Sequence, residues 1–286
     1  MKRLRITYIS FLFLLMISGC DNQKSSSTGI SSDDYKLIWS DEFDVDGKPD
    51  PANWNFEKGF VRNEEFQWYQ EENAYCRNGK LVIEAKRERK KNPDYIPGSK
   101  SWRTNREFAE YTSSSLMTKG LHNWKFGRFE MRAKIDTRPG LWPAFWTLGI
   151  NREWPFNGEI DIMEYYKDQL LANIAWGDRE KWQPVWDTFK IPLDSLRRKD
   201  RDWSGKFHIW RMDWDEESIN LYLDDVLMNS ADLSTTINRD PEGANPFLQP
   251  QYIIINLAIG GTAGGDPSGT VFPAIYEIDY VRVYQK

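Results

Sequence analysis

Short runs in which apolar and polar residues alternate recur from about residue 36 to the end of the chain. Turn residues, chiefly Gly, Pro and Asp, separate these runs, and helical periodicity is almost absent outside a short stretch at 193–198. A period of two is typical of a strand with one buried face. We therefore predict an all-β fold, a β-sandwich jelly roll of two curved antiparallel sheets with a concave side. The clearest strand candidates are residues 80–85, 127–135, 219–223, 252–257 and 280–284.

The aromatic content of the chain is high. Phe, Trp and Tyr make up 15% of the residues, and 14 residues are Trp. Aromatic side chains suit the half-buried surface of a sheet, so a core rich in aromatics accounts for at least half of them. Indole rings also present flat apolar faces on which the C–H faces of sugar rings stack. The remaining Trp residues therefore indicate a concave substrate cleft that binds sugars.

Composition excludes several other classes of protein. The net charge is −5 and no basic stripe is present, so we expect no nucleic-acid partner. Cys20 and Cys76 cannot form a disulfide framework, and two histidines are too few for a His-dependent zinc enzyme or a Ser-His-Asp hydrolase. Residues 36–286 contain neither a linker nor an internal repeat, which indicates one domain, and we expect a monomer.

The first 35 residues have the features of an export signal followed by a tether. A basic start precedes the apolar run 6–17, which is too short to span a bilayer. The run continues into Ile-Ser-Gly-Cys at 17–20, which resembles a bacterial lipobox and implies lipidation of Cys20 and a lipid anchor in the membrane. An ordinary signal peptide with a chance cysteine is the alternative. Residues 21–35 are Ser-rich and are predicted to be a flexible tether.

These features predict a protein of the bacterial cell envelope, lipid-anchored at the outer membrane, at the cell surface or in the periplasm. They also leave Cys76 without a partner, so we predict that it is a buried free thiol.

The segment Glu-Ile-Asp-Ile-Met-Glu at 159–164 places three carboxylates within six residues. In a strand, Glu159 and Asp161 share one face, and the two isoleucines face the core. Glu164 has the wrong parity for a regular strand, and one extra residue near Met163, a β-bulge, would bring it to the face of the other two acids. We therefore predict that all three acids line one cleft.

Crowded carboxylates repel one another, and such crowding is a means of pushing their pKa values apart. Retaining glycosidases need two carboxyl groups about 5–5.5 Å apart, one as nucleophile and one as general acid/base. The Cα atoms of Glu159 and Glu164 would be roughly 13 Å apart, a gap that two Glu side chains leaning together nearly close. Two other interpretations stay open: a strand edge protected by charge, and a calcium site.

The segment also resembles the signature of glycoside hydrolase family 16, in its laminarinase-like branch, in which this strand carries a bulge at Met. The resemblance extends in order over nearly all of residues 36–286 and implies a catalytic domain with those bounds. The other matching segments are DEF at 41–43, NEEFQWY at 63–69, YTSS at 111–114, GRFE at 127–130, GLWPAFW at 140–146, NLAIGG at 256–261 and DYVRVY at 279–284.

The resemblance implies a role for each acid. Glu159 would be the nucleophile that forms the glycosyl-enzyme, and Asp161 would orient Glu159 and modulate its charge. Glu164 would protonate the leaving oxygen and then activate water. The reaction would need no cofactor. A structural calcium ion, as in many family members, would have Glu42 and Asp279 as candidate ligands.

The same resemblance implies substrate-binding residues. Trp142 and Trp154 would be platforms for sugar rings near the cleavage point, with packing in the core as the alternative for each. Asn63 and Glu65 would hydrogen-bond sugar hydroxyls.

One position departs from the laminarinase pattern, in which a His precedes Trp-Gly in the strand after the acids. Ala175 takes that place here, and Trp176, Trp182 and Trp186 follow closely and are predicted to build an extra aromatic wall. A small residue would leave room for an axial hydroxyl or an N-acetyl group. The variant resembles family members from gut-type bacterial lipoproteins that cut chains containing galactose and N-acetylglucosamine.

We therefore predict a retaining endo-β-glycosidase that hydrolyses internal β-linkages of a polysaccharide or host glycan by double displacement. The preferred substrates are β-galactosides within poly-N-acetyllactosamine or mucin-type O-glycans. An endo-β-1,3-glucanase (laminarinase) or a mixed-linkage β-glucanase is the alternative within the class. A transglycosylase is a third interpretation. A non-catalytic glycan-binding lipoprotein is the alternative of another class, and the intact set of three acids argues against it.

Overall fold

The computed structural model describes residues 34–286, so the predicted signal peptide, Cys20 and almost all of the predicted tether lie outside the described residues. Strands dominate this part of the chain. They are β1 (Lys36–Asp41), β2 (Asn55–Phe56), β3 (Gln67–Tyr69), β4 (Ala74–Cys76), β5 (Leu81–Ala85), β6 (Lys90–Lys91), β7 (Phe108–Ala109), β8 (Tyr111–Ser113), β9 (Ser115–Met117), β10 (Gly127–Lys134), β11 (Leu141–Gly149), β12 (Glu159–Tyr166), β13 (Gln169–Gly177), β14 (Pro184–Pro192), β15 (His208–Trp214), β16 (Ser218–Leu223), β17 (Val226–Asp232), β18 (Gln251–Ile259) and β19 (Ala274–Gln285).

Helical segments are short. The α-helices of the described chain are α1 (Leu193–Lys199) and α2 (Gly261–Gly264), and its 3-10 helices are Glu71–Asn73, Trp203–Gly205, Leu233–Thr235 and Pro246–Leu248.

Two sheets contain most of the strands. The outer sheet has the order β17-β16-β15-β10-β19-β5-β4, with β1 also paired to β19. The second sheet, called the cleft sheet below, has the order β14-β13-β12-β11-β18-β9-β2. Neighbouring strands in both sheets are antiparallel, and strands distant in sequence, such as β11 and β18, lie side by side. The prediction of a jelly-roll sandwich of two antiparallel sheets is confirmed.

The main core lies between the two sheets. Alternate residues of β10 are buried, and Phe129, Met131 and Ala133 have no exposed surface. They belong to the same apolar cluster as Ile160 and Ile162 of β12. Burying a side chain of the size of Phe, Met or Ile stabilises the folded state by about 1.5–3 kcal/mol. The apolar residues that alternate with polar ones in the sequence are therefore the residues that pack between the two sheets.

The central strands of the cleft sheet are covered on both faces. Every residue of β18 is buried, although one face of this strand points away from the core. On that second face Trp146 and Tyr252 pack with small and branched apolar neighbours, and Trp142 packs against Tyr69. Aromatic side chains thus form the floor of a concave surface, as well as part of the main core.

Cys76 ends β4 as a buried free thiol, as predicted, and burial raises its pKa to about 12. Between residues 34 and 286 no helix combines the length and the apolar character needed to cross a membrane.

Candidate active site

The strand β12 carries the three predicted acids, and its register changes beside them. Between Asp161 and Glu164 this strand has two residues where the facing part of β13 has one. The register against β11 shifts at the same place. This is the predicted β-bulge, and it places both Ile162 and Met163 in the core. Glu164 therefore joins Glu159 and Asp161 on the cleft side.

All three acids line one cleft of about 960 Å³ in the face of the cleft sheet. The lining comes from strands β11 to β14 and β18, from the loops before β3, β7, β12 and β14, and from α2. The cleft residues discussed below are Arg62, Asn63, Glu65, Trp142, Trp146, Trp154, Glu159, Asp161, Glu164, Asn173, Trp182, Trp186 and Lys190.

Glu164 is held at both of its carboxyl oxygens. Trp142 Nε1 donates to Oε1 at 2.7 Å, and Asn173 Nδ2 donates to Oε2 at 2.9 Å. Burial raises the pKa of Glu164, and the charge of Glu159 adds to this, whereas the two donors and Lys190 act in the opposite direction. The resulting pKa is about 7, which suits a group that gives up and takes back a proton near neutral pH.

Glu159 and Asp161 form a second part of the acid cluster. Trp154 Nε1 donates to Glu159 Oε2 at 2.5 Å. Burial raises the pKa of Glu159. Burial and then the charges of Glu159 and Glu164 raise the pKa of Asp161 well above its ordinary value. A hydrogen bond from Asp161 would favour the ionised form of Glu159 and the protonated form of Asp161. This arrangement stabilises a nucleophilic carboxylate beside a neutral acid.

The predicted binding residues Asn63 and Glu65 lie on a loop beside α2. Asn63 is exposed to the cleft, and Glu65 is buried and accepts a hydrogen bond from Gln67 Nε2 at 2.7 Å. Two glycines allow this loop to approach so closely. A Cβ on Gly260 would lie 2.3 Å from the Phe66 ring, and a Cβ on Gly261 would lie 2.5 Å from the Asn63 carbonyl oxygen.

Arg62 is a cleft residue that the sequence reasoning missed. Its guanidinium group forms an ion pair with Glu57 and lies 5.0 Å from the centre of the Trp146 ring. Burial opposes its charge, but the carboxylates of Glu57 and Glu65 raise its pKa well above the ordinary value. Arg62 in turn favours the ionised form of Glu159. A permanent positive charge is thus built into the cleft floor.

The two predicted aromatic residues Trp154 and Trp182 lie together at the rim. Their ring centres are 6.2 Å apart with an angle of 30° between the planes, and Trp182 is 61% exposed. Trp186 of the edge strand β14 also lines the cleft and is 44% exposed. An exposed indole offers a surface for a sugar ring. The ion pair between Lys181 and Glu153, with an N–O distance of 2.6 Å, joins the two loops that carry this pair.

The prediction that Trp176 contacts substrate is wrong. Successive residues of a strand face opposite sides, and Trp176 points into the core between the sheets, as does Ile174. Ala175 pairs with Glu159 rather than with Glu164 in the register. It is fully buried and is not among the residues that line the cleft, so the room expected beside it is not open to substrate.

The predicted calcium ligands are occupied by other partners. Glu42 accepts two hydrogen bonds of 2.9 Å from Arg282, and Asp279 pairs with Arg132 at 2.5 Å. Each carboxylate is thus neutralised by a different arginine, which does not favour a calcium site shared by the two. Within residues 34–286 no cluster of three or more His, Cys, Asp or Glu side chains has an arrangement suited to a metal ion.

Asn173 and Lys190 are two further cleft residues that sequence reasoning missed. Asn173 lies opposite Asp161 in the register and donates to it at 3.2 Å, in addition to its bond with Glu164. Lys190 lies on β14, on the same face as Trp186. Strand parity offered a signal for both, because every second residue of a strand beside the acids must face the cleft.

Comparison with known proteins finds relatives along almost the whole described chain. The family model Glycosyl hydrolases family 16 matches residues 62–282. A beta-glucanase of Rhodothermus marinus is 33% identical, over 96% of this chain and 93% of its own length.

Two solved structures share 35% of their residues with this chain but differ in how well their backbones match it. One comes from work on endo-acting O-glycanases with which members of the human gut microbiota initiate mucin breakdown. It has a TM-score of 0.80 and covers 89% of this chain and 92% of that chain. The other is the laminarinase of Rhodothermus marinus, with a TM-score of 0.70 over 88% of this chain and 97% of that one.

Proposed function

The chain belongs to glycosyl hydrolases family 16 and is an endo-acting glycoside hydrolase, and from this premise we propose a retaining mechanism in which Glu159 is the nucleophile and Glu164 the general acid/base. One observation carries the assignment: the bulge in β12 brings three carboxyl groups to one cleft, where their surroundings make them chemically different. The reaction needs no cofactor.

In the first step, an ionised Glu159 oxygen attacks the anomeric carbon of the sugar while the bond from that carbon to the glycosidic oxygen breaks. Glu164 transfers its proton to that oxygen, so the leaving sugar departs as an alcohol. Trp154 holds one Glu159 oxygen by its indole N–H. The neutral Asp161 beside Glu159 avoids a second negative charge next to the nucleophile.

In the second step, the now ionised Glu164 takes a proton from water, and the water oxygen attacks the anomeric carbon. The bond to Glu159 breaks, and the product keeps the β-configuration of the substrate. A pKa of about 7 for Glu164 suits both directions of proton transfer.

The mechanism is tested with Glu159→Gln, Glu164→Gln and the exposed control Glu180→Gln. We expect Glu159→Gln to abolish turnover while oligosaccharide binding, measured by calorimetry, persists. Glu164→Gln should lose turnover of natural glycans but keep part of its activity on aryl glycosides with good leaving groups. Proton NMR should detect the β-anomer as the first product. Full activity of Glu159→Gln, or α-anomer as the first product, would disprove the assignment.

For the substrate we propose β-galactosides within poly-N-acetyllactosamine or mucin-type O-glycans. Two observations support this choice. The match to the structure from the O-glycanase work has the higher TM-score at equal sequence identity. The exposed rim residues Trp182 and Trp186 also extend the cleft surface beyond the acids. The small residue Ala175 is fully buried, so its size gives the substrate no extra room.

A β-1,3-glucan is the rival substrate and is at least as well supported by sequence relatives. The beta-glucanase of Rhodothermus marinus matches nearly the full length of this chain. One panel separates the two proposals: laminarin, mixed-linkage glucan, agarose, keratan and mucin O-glycans, with product masses recorded for each. Release of defined oligosaccharides from laminarin alone would overturn the galactoside proposal. Products longer than the substrate would identify a transglycosylase.

We further propose that the enzyme works at the bacterial cell envelope, as a monomer held by a lipid on Cys20. This proposal is supported by the lipobox-like segment at 17–20, which precedes the described residues.

A further inference from the structure

The side chain of Asn173 touches two of the three acids at once. Its Nδ2 donates to Asp161 Oδ2 at 3.2 Å and to Glu164 Oε2 at 2.9 Å. The bulge makes this double contact possible, because it brings Glu164 to the same face as Asp161, and Asn173 lies directly opposite Asp161 in the register. A regular strand with this sequence would point Glu164 to the other side of the sheet.

Both hydrogen bonds use the same NH2 group, which fixes the orientation of the amide. Asn173 is 3% exposed, and its Oδ1 is buried with no protein partner. A buried acceptor without a partner is unfavourable, and such groups are rare in native structures. The amide is therefore oriented toward the two carboxyl groups at the expense of its own oxygen, which indicates a role beyond packing.

The two oxygens of Glu164 thus have separate donors, Trp142 on one and Asn173 on the other. With both oxygens bonded, rotation of the carboxyl group about its last bond is restricted. A donor also stabilises the ionised form of a carboxyl group, so both bonds oppose the effect of burial on Glu164. Ala175, the residue that departs from the laminarinase pattern, lies in the same strand, two residues after Asn173.

We infer that Asn173 is a positioning residue for the acid/base. It orients the Glu164 carboxyl group for proton transfer, and it holds the neighbouring Asp161 in the same arrangement. The inference rests on the proposed function of Glu164. Asn173 supplies a second hydrogen-bond donor to Glu164, in addition to Trp142. The three-acid motif alone does not contain this donor.

The test compares Asn173→Leu, which removes both hydrogen bonds but has a side chain of similar size, with Asn173→Ser, which keeps a donor on a shorter side chain. Asn229→Leu is the matched control, because this half-buried amide bonds to Ala172 and Asp187 and touches none of the acids. The measurements are the pH dependence of kcat/KM on the best glycan of the panel and the same profile on an aryl glycoside with a good leaving group.

For Asn173→Leu we expect the alkaline limb of the glycan profile to move up by about one pH unit, because the ionised form of Glu164 loses a donor. We also expect kcat on the glycan to fall roughly 100-fold, and kcat on the aryl glycoside to fall much less, since a good leaving group needs little protonation. Asn173→Ser should lie between the wild type and Asn173→Leu. Asn229→Leu should leave both profiles unchanged.

A folded Asn173→Leu with an unmoved alkaline limb and equal losses on both substrates would overturn the inference, because that result describes a merely structural residue. If Asn173→Leu does not fold, Asn173→Ser decides, with the same profiles and a carboxyl ¹³C NMR titration of Glu164. Glu164→Gln separates this outcome from a failure of the proposed function. If Glu164→Gln keeps full glycan activity, Glu164 is not the acid/base, whatever Asn173 does.

Discussion

At the scale of single residues, the three acids differ because each has different neighbours. Glu164 has two donors and a nearby Lys190, whereas Asp161 has two carboxylates beside it. Burial acts on all of them in the same direction, so the contacts decide which acid is ionised at neutral pH. Catalysis in the proposed direction requires an ionised Glu159 and a protonated Glu164.

The first prediction concerns the pH dependence of the free enzyme. The value of kcat/KM should fall above about pH 7, as Glu164 loses its proton, and should be roughly 100-fold lower at pH 9. The acid limb should reflect Glu159, whose pKa burial raises above the ordinary value, so activity should decline already in weakly acidic solution. Initial rates at low substrate concentration between pH 4 and pH 10 test this. A flat profile from pH 6 to pH 9 would contradict the assignment of Glu164.

The second prediction concerns stability. The folded-state pKa of Glu164 lies above its value in the unfolded chain, so the folded protein binds more protons between about pH 4.5 and pH 7. Stability is therefore lost as pH rises through this window, and the loss is complete above it. The shift corresponds to about 3 kcal/mol, and partial exposure to cleft water reduces this to about 1–2 kcal/mol.

Glu164→Gln removes that loss, and Asn173 can turn its unpaired Oδ1 toward the new amide. We expect the variant to melt a few degrees above the wild type at pH 8 and at the same temperature near pH 4. Scanning calorimetry at both pH values is the measurement. Equal melting temperatures of the variant and the wild type at pH 8 would show that the ionisation of Glu164 does not destabilise the folded protein.

At the scale of elements, strand parity explains both the successes and the errors of sequence reasoning. Parity predicted the bulge in β12, because three acids in EIDIME share a face only with one extra residue. The same rule excludes Trp176 once Ala175 faces the acids, since neighbours in a strand face opposite sides. The same rule also predicts that Asn173 faces the cleft, because it lies two residues before Ala175 in the strand. By contrast, the indole bonds of Trp142 and Trp154 to the acids depend on strand pairing and loop positions that no local pattern contains.

Strand parity also predicts the effects of deletions in β12. Deleting Met163 leaves the acids at every second position, so all three should stay on the cleft face of a regular strand. Deleting Ile160 instead makes Glu159 and Asp161 neighbours, which must then face opposite sides. Each deletion removes one buried apolar side chain, and we expect each to lower the free energy of unfolding by about 2–5 kcal/mol.

The Met163 deletion should therefore keep measurable activity, while the Ile160 deletion should have none. Circular dichroism and thermal melts establish that both proteins are folded, and turnover on the best glycan of the panel is then compared. Loss of activity in both folded proteins would mean that the bulge has a role beyond placing Glu164 on the correct face.

At the scale of the whole molecule, the described chain has one main core and one large cleft with the proposed catalytic groups. Residues 35–286 form a single compact unit in terms of contacts between residues. The family model begins within that unit, at residue 62. The predicted lipidation site Cys20 lies before it in the sequence. Catalysis and attachment to the envelope should therefore be separable.

A chain that begins at residue 35 should fold and hydrolyse a soluble glycan with kcat/KM within about twofold of the full chain, because a compact unit with its own core needs no other segment to fold. Full-length protein expressed in a bacterium should fractionate with membranes, and Cys20→Ser should release it without changing its activity per molecule. Membrane fractionation, mass spectrometry of the processed N-terminus and initial rates measure these outcomes. If Cys20→Ser stays with the membranes, another anchor is present. If the shortened chain is folded but inactive, residues 1–34 take part in catalysis.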